Sequence, residues 1–159
     1  MKMRLLNAVT VFLLLFLGSC TSDSLEETPV LEAENVLTIE QDLLDIVNTH
    51  RLSLNTNTLR FSDVAYKYAN LHTDYMISKG SISHDNFSSR ASNIDSEISV
   101  EMVAENVAKD YDTAQEAFEG WYISSSHKKT MEGDFTHTAI SVKKDDFGNY
   151  YFTQLFYKQ

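Results

Sequence analysis

Apolar residues recur at helical spacing through most of the chain and give way to strand-like runs near its end. Ile39, Leu43, Ile46 and Val47 lie three to four residues apart, and Thr38 with Gln41 has the form of a capping box. The spacing predicts a first helix from Thr38 to near Leu52. A second helix is predicted from Ser62 to Lys79, with Val64, Tyr68, Leu71, His72, Tyr75 and Met76 on one side and Gly80 as its stop. Thr113-Ala114-Gln115-Glu116 is another capping box, opening a third helix with Ala117, Phe118, Trp121 and Tyr122 as its apolar stripe. After Gly133 the period changes. Phe135 to Val142 and Tyr150 to Tyr157 are rich in β-branched and aromatic residues, and Asp145-Asp146-Phe147-Gly148-Asn149 separates them, which is the pattern of a hairpin. Helices first and strands last point to an α+β domain whose helices cover a small antiparallel sheet.

Ahead of these elements the pattern is different. Lys2 and Arg4 precede an apolar stretch from Leu5 to Leu17, interrupted only by Asn7 and Thr10. The stretch falls short of the roughly 20 apolar residues of a membrane-spanning helix and reads as a signal segment. It ends in Leu17-Gly18-Ser19-Cys20, which resembles the lipobox of bacterial lipoproteins. That resemblance implies cleavage before Cys20 and acylation of its sulfur and its new amino group. Cys20 is the only cysteine, so an internal disulfide is excluded. Thr21 to about Leu37 is polar and acidic, holds the only proline, Pro29, and reads as a tether. The expected organisation is a signal peptide over 1–19, an acylated cysteine and acidic tether over 20–37, and one domain over 38–159. The expected location is the bacterial cell envelope: extracytoplasmic, lipid-anchored and at the outer membrane.

A length of 159 residues suits one domain, and the formal charge is −10, from 13 Lys and Arg against 23 Asp and Glu. Removing residues 1–19, which carry Lys2 and Arg4 and no acid, makes the balance −12. Nucleic acid and anionic headgroups need a basic surface, so both are excluded as expected partners of the domain. The membrane is reached instead through the acyl chains on Cys20.

Three residues carry the candidate chemistry. His84, Glu105 and His127 supply two imidazoles and a carboxylate, which suit a divalent ion or proton handling. Asn48-Thr49-His50-Arg51, Leu59, Ala65, Ala69, His72, Met76, Ser83-His84, Phe87, Arg90, Glu105-Asn106, Trp121, Ser124, His127, Phe135 and Tyr151-Phe152-Thr153-Gln154 follow in that order. In order and spacing the chain resembles the CAP superfamily (cysteine-rich secretory proteins, antigen 5 and pathogenesis-related proteins), specifically its bacterial SCP-domain branch. The resemblance runs from about Thr38 to Gln159. It implies a three-layer α-β-α sandwich with a cleft that in many members holds two histidines and two glutamates. Carried over, these fall on His84, Glu105 and His127, while Ser124 stands at the second glutamate position, as is usual in the bacterial branch. Ala104 replaces the usual glycine before the family glutamate, and Thr130 replaces an asparagine three residues after the second histidine.

The expected cleft is therefore His84, Glu105, Ser124, His127 and Asn106, with His84, Glu105 and His127 as the metal set. Zn2+ is the ion expected, held weakly or conditionally, because one carboxylate suits calcium or magnesium poorly. The competing reading is a hydrogen-bonded network that fixes the loops and holds no metal. No catalytic residue is assigned. A binding or interaction module is expected ahead of a metal-dependent hydrolase or protease-like enzyme, since no Gly-x-Ser-x-Gly elbow accompanies the Ser124, Ser126 and His127 group. A sterol or fatty-acid binder is the third alternative. The partners expected are an envelope or host protein, or an apolar small molecule. His72 is expected to be a buried hydrogen-bonded residue, His50 to sit against a helix C-terminus, and His137 is left out of the site.

Overall fold

The computed structural model of the chain describes residues 32–159. The signal segment, Cys20 and most of the expected tether lie outside the described residues. The elements run α1 (Leu37–Ser53), β1 (Arg60–Phe61), α2 (Asp63–Lys79), α3 (Phe87–Ile98), β2 (Met102–Lys109), α4 (Ala114–Ile123), α5 (Ser125–Met131), β3 (His137–Lys144) and β4 (Tyr150–Lys158). None of these helices is long and apolar enough to cross a membrane.

The sheet order is β1-β3-β4-β2, with β3-β4 and β4-β2 antiparallel and the two-residue β1 parallel to β3. Alternation along the strands divides the core in two. Phe152, Phe156, Ile140 and Val142 pack with Leu43 and Val47 of α1 and Ala117 and Trp121 of α4. Leu155, Tyr157 and Ala139 turn to the other face and pack with Ala65, Tyr68 and Ala69 of α2 and Ile94 of α3. This is the expected α-β-α sandwich.

The second helix forms as its sequence predicts. Ser62 caps it by accepting from the Ala65 N–H, and Gly80 ends it in the left-handed region at φ 68°. The face is rotated from the expected one: Leu71 is 58% exposed, while Tyr68, His72 and Met76, spaced by four, face inward. Thr113 and Glu116 make the full reciprocal capping box. In α4, Tyr111 lies so close to Gly120 that a Cβ there would collide with its ring, which explains a glycine inside a helix.

The first helix corrects the expected cap. It begins at Leu37, and its N-cap, Val36, offers no side-chain bond. Tertiary contacts take over the role of the local cap. The Val36 N–H donates to the Val142 carbonyl at 2.8 Å, and buried Glu40 accepts from the Val142 N–H at 2.8 Å and from the Tyr66 hydroxyl at 2.8 Å. Residues 33–36 are held to the domain as well: the Ala33 N–H donates to Asp74, and Asn35 bridges Lys143. Fully buried Lys143 in turn donates to Asp74 at 2.7 Å.

Three elements carry no strong local signal. β2 has Glu105 and Asn106 at its centre, α3 is mostly polar, and α5 is seven residues long. These elements, with the loop between α2 and α3, carry the residues of the expected cleft.

Candidate functional site

Register decides which way the central residues of β2 turn. Glu105 pairs with Leu155 and Asn106 with Gln154, so neighbouring polar residues point to opposite faces of the sheet. Glu105 turns toward α2 and α3, where its side chain is 1% exposed. Asn106 turns toward α5, where its Nδ2 donates to the His127 carbonyl at 3.1 Å.

A charge buried as deeply as Glu105 needs partners, and it has them. Arg90 of α3 donates from Nε to Oε2 at 2.9 Å and from Nη2 to Oε1 at 2.9 Å, a forked guanidinium–carboxylate pair. His84 donates from Nδ1 to Oε1 at 2.8 Å. A carboxylate at Nδ1 holds the proton there and leaves the Nε2 lone pair outward on a ring that is 54% exposed.

The loop bearing His84 is fastened on both sides. Arg90 Nη1 donates to the Asp85 carbonyl at 2.6 Å, and His72 Nε2 donates to the Ser83 carbonyl at 2.7 Å. The Asp85 carboxylate accepts from the Tyr75 hydroxyl at 2.8 Å and from Lys79 at 2.5 Å. His72 lies 3.8 Å from Glu105 and stacks on Tyr75 at 5.8 Å, and its buried Nδ1 has no protein partner. Burial pushes its imidazole below the ordinary histidine range, against the pull of Glu105.

His127 is placed by the break between α4 and α5. Ser124 stands at the N-cap of α5 but makes no capping bond to the helix. Its hydroxyl lies 2.9 Å from His127 Nδ1 and 3.2 Å from the Ser126 hydroxyl. Burial is the first cause that holds the His127 imidazole below its usual range, and nearby His84 is the second. Trp121 fastens α4 to β2 by donating from Nε1 to the Val107 carbonyl at 3.2 Å.

A model of the cysteine-rich secretory protein (CAP) family matches residues 44–156. The chain belongs to this family. The CAP chain is 26% identical over 126 residues to the uncharacterized membrane protein YlbC of Bacillus subtilis (strain 168), covering 77% of this chain and 35% of that protein. It therefore spans about a third of that curated relative's length. Among solved structures, it is similar to an outer surface protein of Borrelia burgdorferi, with TM-score 0.71 and 19% identity over 80% of this chain and 98% of that one. It is also similar to an extracellular SCP-domain protein of Bacillus anthracis, with TM-score 0.67 and 22% identity over 77% of this chain and 41% of that one. These likenesses carry the fold.

All five expected cleft residues, His84, Glu105, Ser124, His127 and Asn106, therefore lie on or beside the β2 strand of the CAP domain. His72 and Arg90 join them. The sequence pattern places His72 as a buried residue outside the site and gives Arg90 no role. The signal that could have found both is a pair of basic residues on inward helix faces with one acid on the strand they cover.

The described residues hold no convergent group of three or more His, Cys, Asp or Glu side chains suited to a metal ion. At this site both oxygens of Glu105 accept from Arg90 or His84. The donor set that suits zinc is thus the two imidazoles, with Glu105 as the carboxylate that orients one of them. The Ser124–His127 contact is the first requirement of a base-activated hydroxyl. The cleft carboxylate, however, orients His84 and not His127, so no serine-histidine-acid relay is assembled.

Proposed function

We propose that the chain is a CAP-domain lipoprotein of the bacterial envelope, anchored through acylated Cys20, whose cleft is a binding module and not a catalytic centre. The observation that carries this reading is the Arg90–Glu105–His84 network. It spends the buried carboxylate on holding one imidazole with its Nε2 outward, which is preparation for binding at that nitrogen. Zinc would be held by His84 and His127, and would supply Lewis acidity there. Water would fill the remaining positions, so the binding is weak. The surface and extracellular descriptions of the two solved relatives, and the membrane description of the curated one, support an extracytoplasmic place. The anchor supports an envelope or host protein as partner. Cys20→Ala should move the protein out of the membrane fraction and abolish fatty-acid labelling, and unchanged partition would refute the anchor.

Zinc titration of the protein purified without chelator, beside a His84→Ala/His127→Ala variant that retains its fold, tests the cleft. Binding lost in the variant supports the reading, and no binding in either leaves a structural network. The tautomer of His127 separates binding from catalysis. A proton on Nδ1, donated to Ser124, frees Nε2 for a ligand, whereas a proton on Nε2 makes Nδ1 a base for the Ser124 hydroxyl. Nitrogen-15 spectra of the rings distinguish the two.

A second reading rests on the groove between α1 and α4, about 420 Å³, lined by Asp45, Ile46, Thr49, His50, Ser53, Gln115 and Phe118. That volume suits a small apolar molecule with a polar end, the sterol or fatty-acid alternative. Retention of such a lipid through purification, lost on Phe118→Asp, would favour it.

A further inference from the structure

A second recess lies at the β1 edge of the sheet, away from the histidine cleft. It measures about 440 Å³ and is lined by Asn57, Thr58, Arg60, Thr136, His137 and Gln159. In a chain with 23 acidic residues against 13 basic ones, none of these six side chains is a carboxylate. Arg60 is exposed and makes no ion pair among the described residues, in which nearly every other exposed ion pair is a lysine's. An unpaired guanidinium in an acidic protein is a fork of donors with no internal acceptor.

His137 stands beside it with a fixed ring and a fixed proton. Tyr157 stacks on it with centroids 4.7 Å apart and planes 8° from parallel. The Thr136 hydroxyl accepts the Gln159 N–H at 3.0 Å and lies 2.8 Å from His137 Nδ1, while the Tyr157 carbonyl and the main-chain oxygen of Gln159 are each farther off at 3.4 Å. The hydroxyl proton therefore goes to Nδ1, and the ring proton is left on Nε2. Burial, and then the charge of Arg60, push this imidazole below its usual range.

A second positive charge stands behind the wall. Arg51 is fully buried and donates to the carbonyls of Asn57, Met131, Gly133 and Phe135 and to Asn57 Oδ1. It makes no ion pair among the described residues. The acid whose charge it feels, Asp134, is paired with Lys158 at 2.9 Å. Asn57 thus separates the recess from a guanidinium whose hydrogen bonds all go to uncharged oxygens.

We propose that this recess binds a compact oxyanion, a carboxylate or phosphate group, on the Arg60 guanidinium and the Nε2–H of His137. The volume leaves room for the rest of a larger molecule that carries the group. The site shares no residue with the cleft and does not depend on what the cleft binds.

Inorganic phosphate and acetate are the probes, titrated into the intact chain in an uncharged detergent at constant ionic strength set with chloride. The ring signals of His137 are followed by NMR. Saturable shifts are expected, with binding weakened about tenfold or more in Arg60→Gln, the size of a lost charge-assisted hydrogen bond. His137→Phe keeps a ring against Tyr157 and removes the donor, so phosphate binding, followed there by backbone amides, should weaken as well. Tighter phosphate than acetate names a phosphate-bearing ligand, and the reverse names a carboxylate. Linear, unsaturable shifts in the unaltered protein, or Arg60→Gln binding as tightly as the unaltered protein, would overturn the proposal. Arg60 is exposed, so an unchanged amide spectrum for Arg60→Gln is the check that the fold is intact.

Discussion

Replacing Arg90 by methionine isolates the contact on which the cleft depends. Methionine keeps much of the apolar stem and removes the guanidinium. Lost with it are the two bonds to Glu105 at 2.9 Å and the bond to the Asp85 carbonyl at 2.6 Å. Glu105 is left with its side chain 1% exposed and with His84 as its remaining hydrogen-bond donor. Breaking a buried pair by removing one partner costs about 3–5 kcal/mol. His84 still donates and the Arg90 side chain is itself 9% exposed, so the lower end applies, about 3 kcal/mol. Urea unfolding should show this as a lower midpoint with an unchanged slope. Adding Glu105→Gln removes the stranded charge, so the double variant should recover about 1–2 kcal/mol relative to the sum of the single losses. A loss below about 1 kcal/mol for Arg90→Met, or strict additivity in the double variant, would refute the view that the pair is a coupled buried unit.

Three further outcomes follow from the same geometry. In His72→Gln the side-chain amide can take the place of Nε2–H toward the Ser83 carbonyl, so the His84 ring spectrum should stay close to the unaltered one. His72→Leu should broaden or split it, and equal spectra in both would remove His72 as a positioning residue for the loop. Lys143→Met leaves Asp74 its bond from the Ala33 N–H but no cation, and should cost about 3 kcal/mol in urea unfolding, while Lys143→Met/Asp74→Leu should return most of it; a double variant as unstable as the single one would contradict the assignment. The imidazole of His72 is held below its unfolded value, so the unfolded chain takes up the proton first. Its contribution is therefore complete above about pH 6.5 and is lost as pH falls below that toward the folded value. His72→Gln should flatten this limb of the stability–pH curve, and an unchanged limb would show that the ring does not titrate on unfolding.

Elements with strong local signals are legible in the residues themselves. Ser62 and Gly80 bound the second helix because a cap oxygen and a left-handed glycine act within one turn. Thr113 and Glu116 do the same for α4, and Asp145 accepts from the N–H groups of Phe147 and Asn149 to shape the hairpin turn. The capping-box pattern at Thr38 fails because the helix already begins at Leu37, where the Val36 N–H donates to the Val142 carbonyl, and Gln41 donates to Asp45 and not back to Thr38. β2 is hidden because its two central residues are polar. Strand identity there comes from pairing with β4, some fifty residues on, which no local window contains.

The candidate site divides in the same way. The family membership, the α-β-α layering and the identities of His84, Glu105, Ser124, His127 and Asn106 were determined by the sequence, because residue types at fixed order and spacing carry them. Tertiary structure alone decided that Glu105 faces Arg90 and His84 while Asn106 faces His127, that His72 and Arg90 fasten the loop, and that Arg60 and His137 share a recess. These depend on strand register and on helix faces meeting across the sheet. A shift of one residue in β2 would exchange the faces of Glu105 and Asn106 while leaving the local sequence untouched.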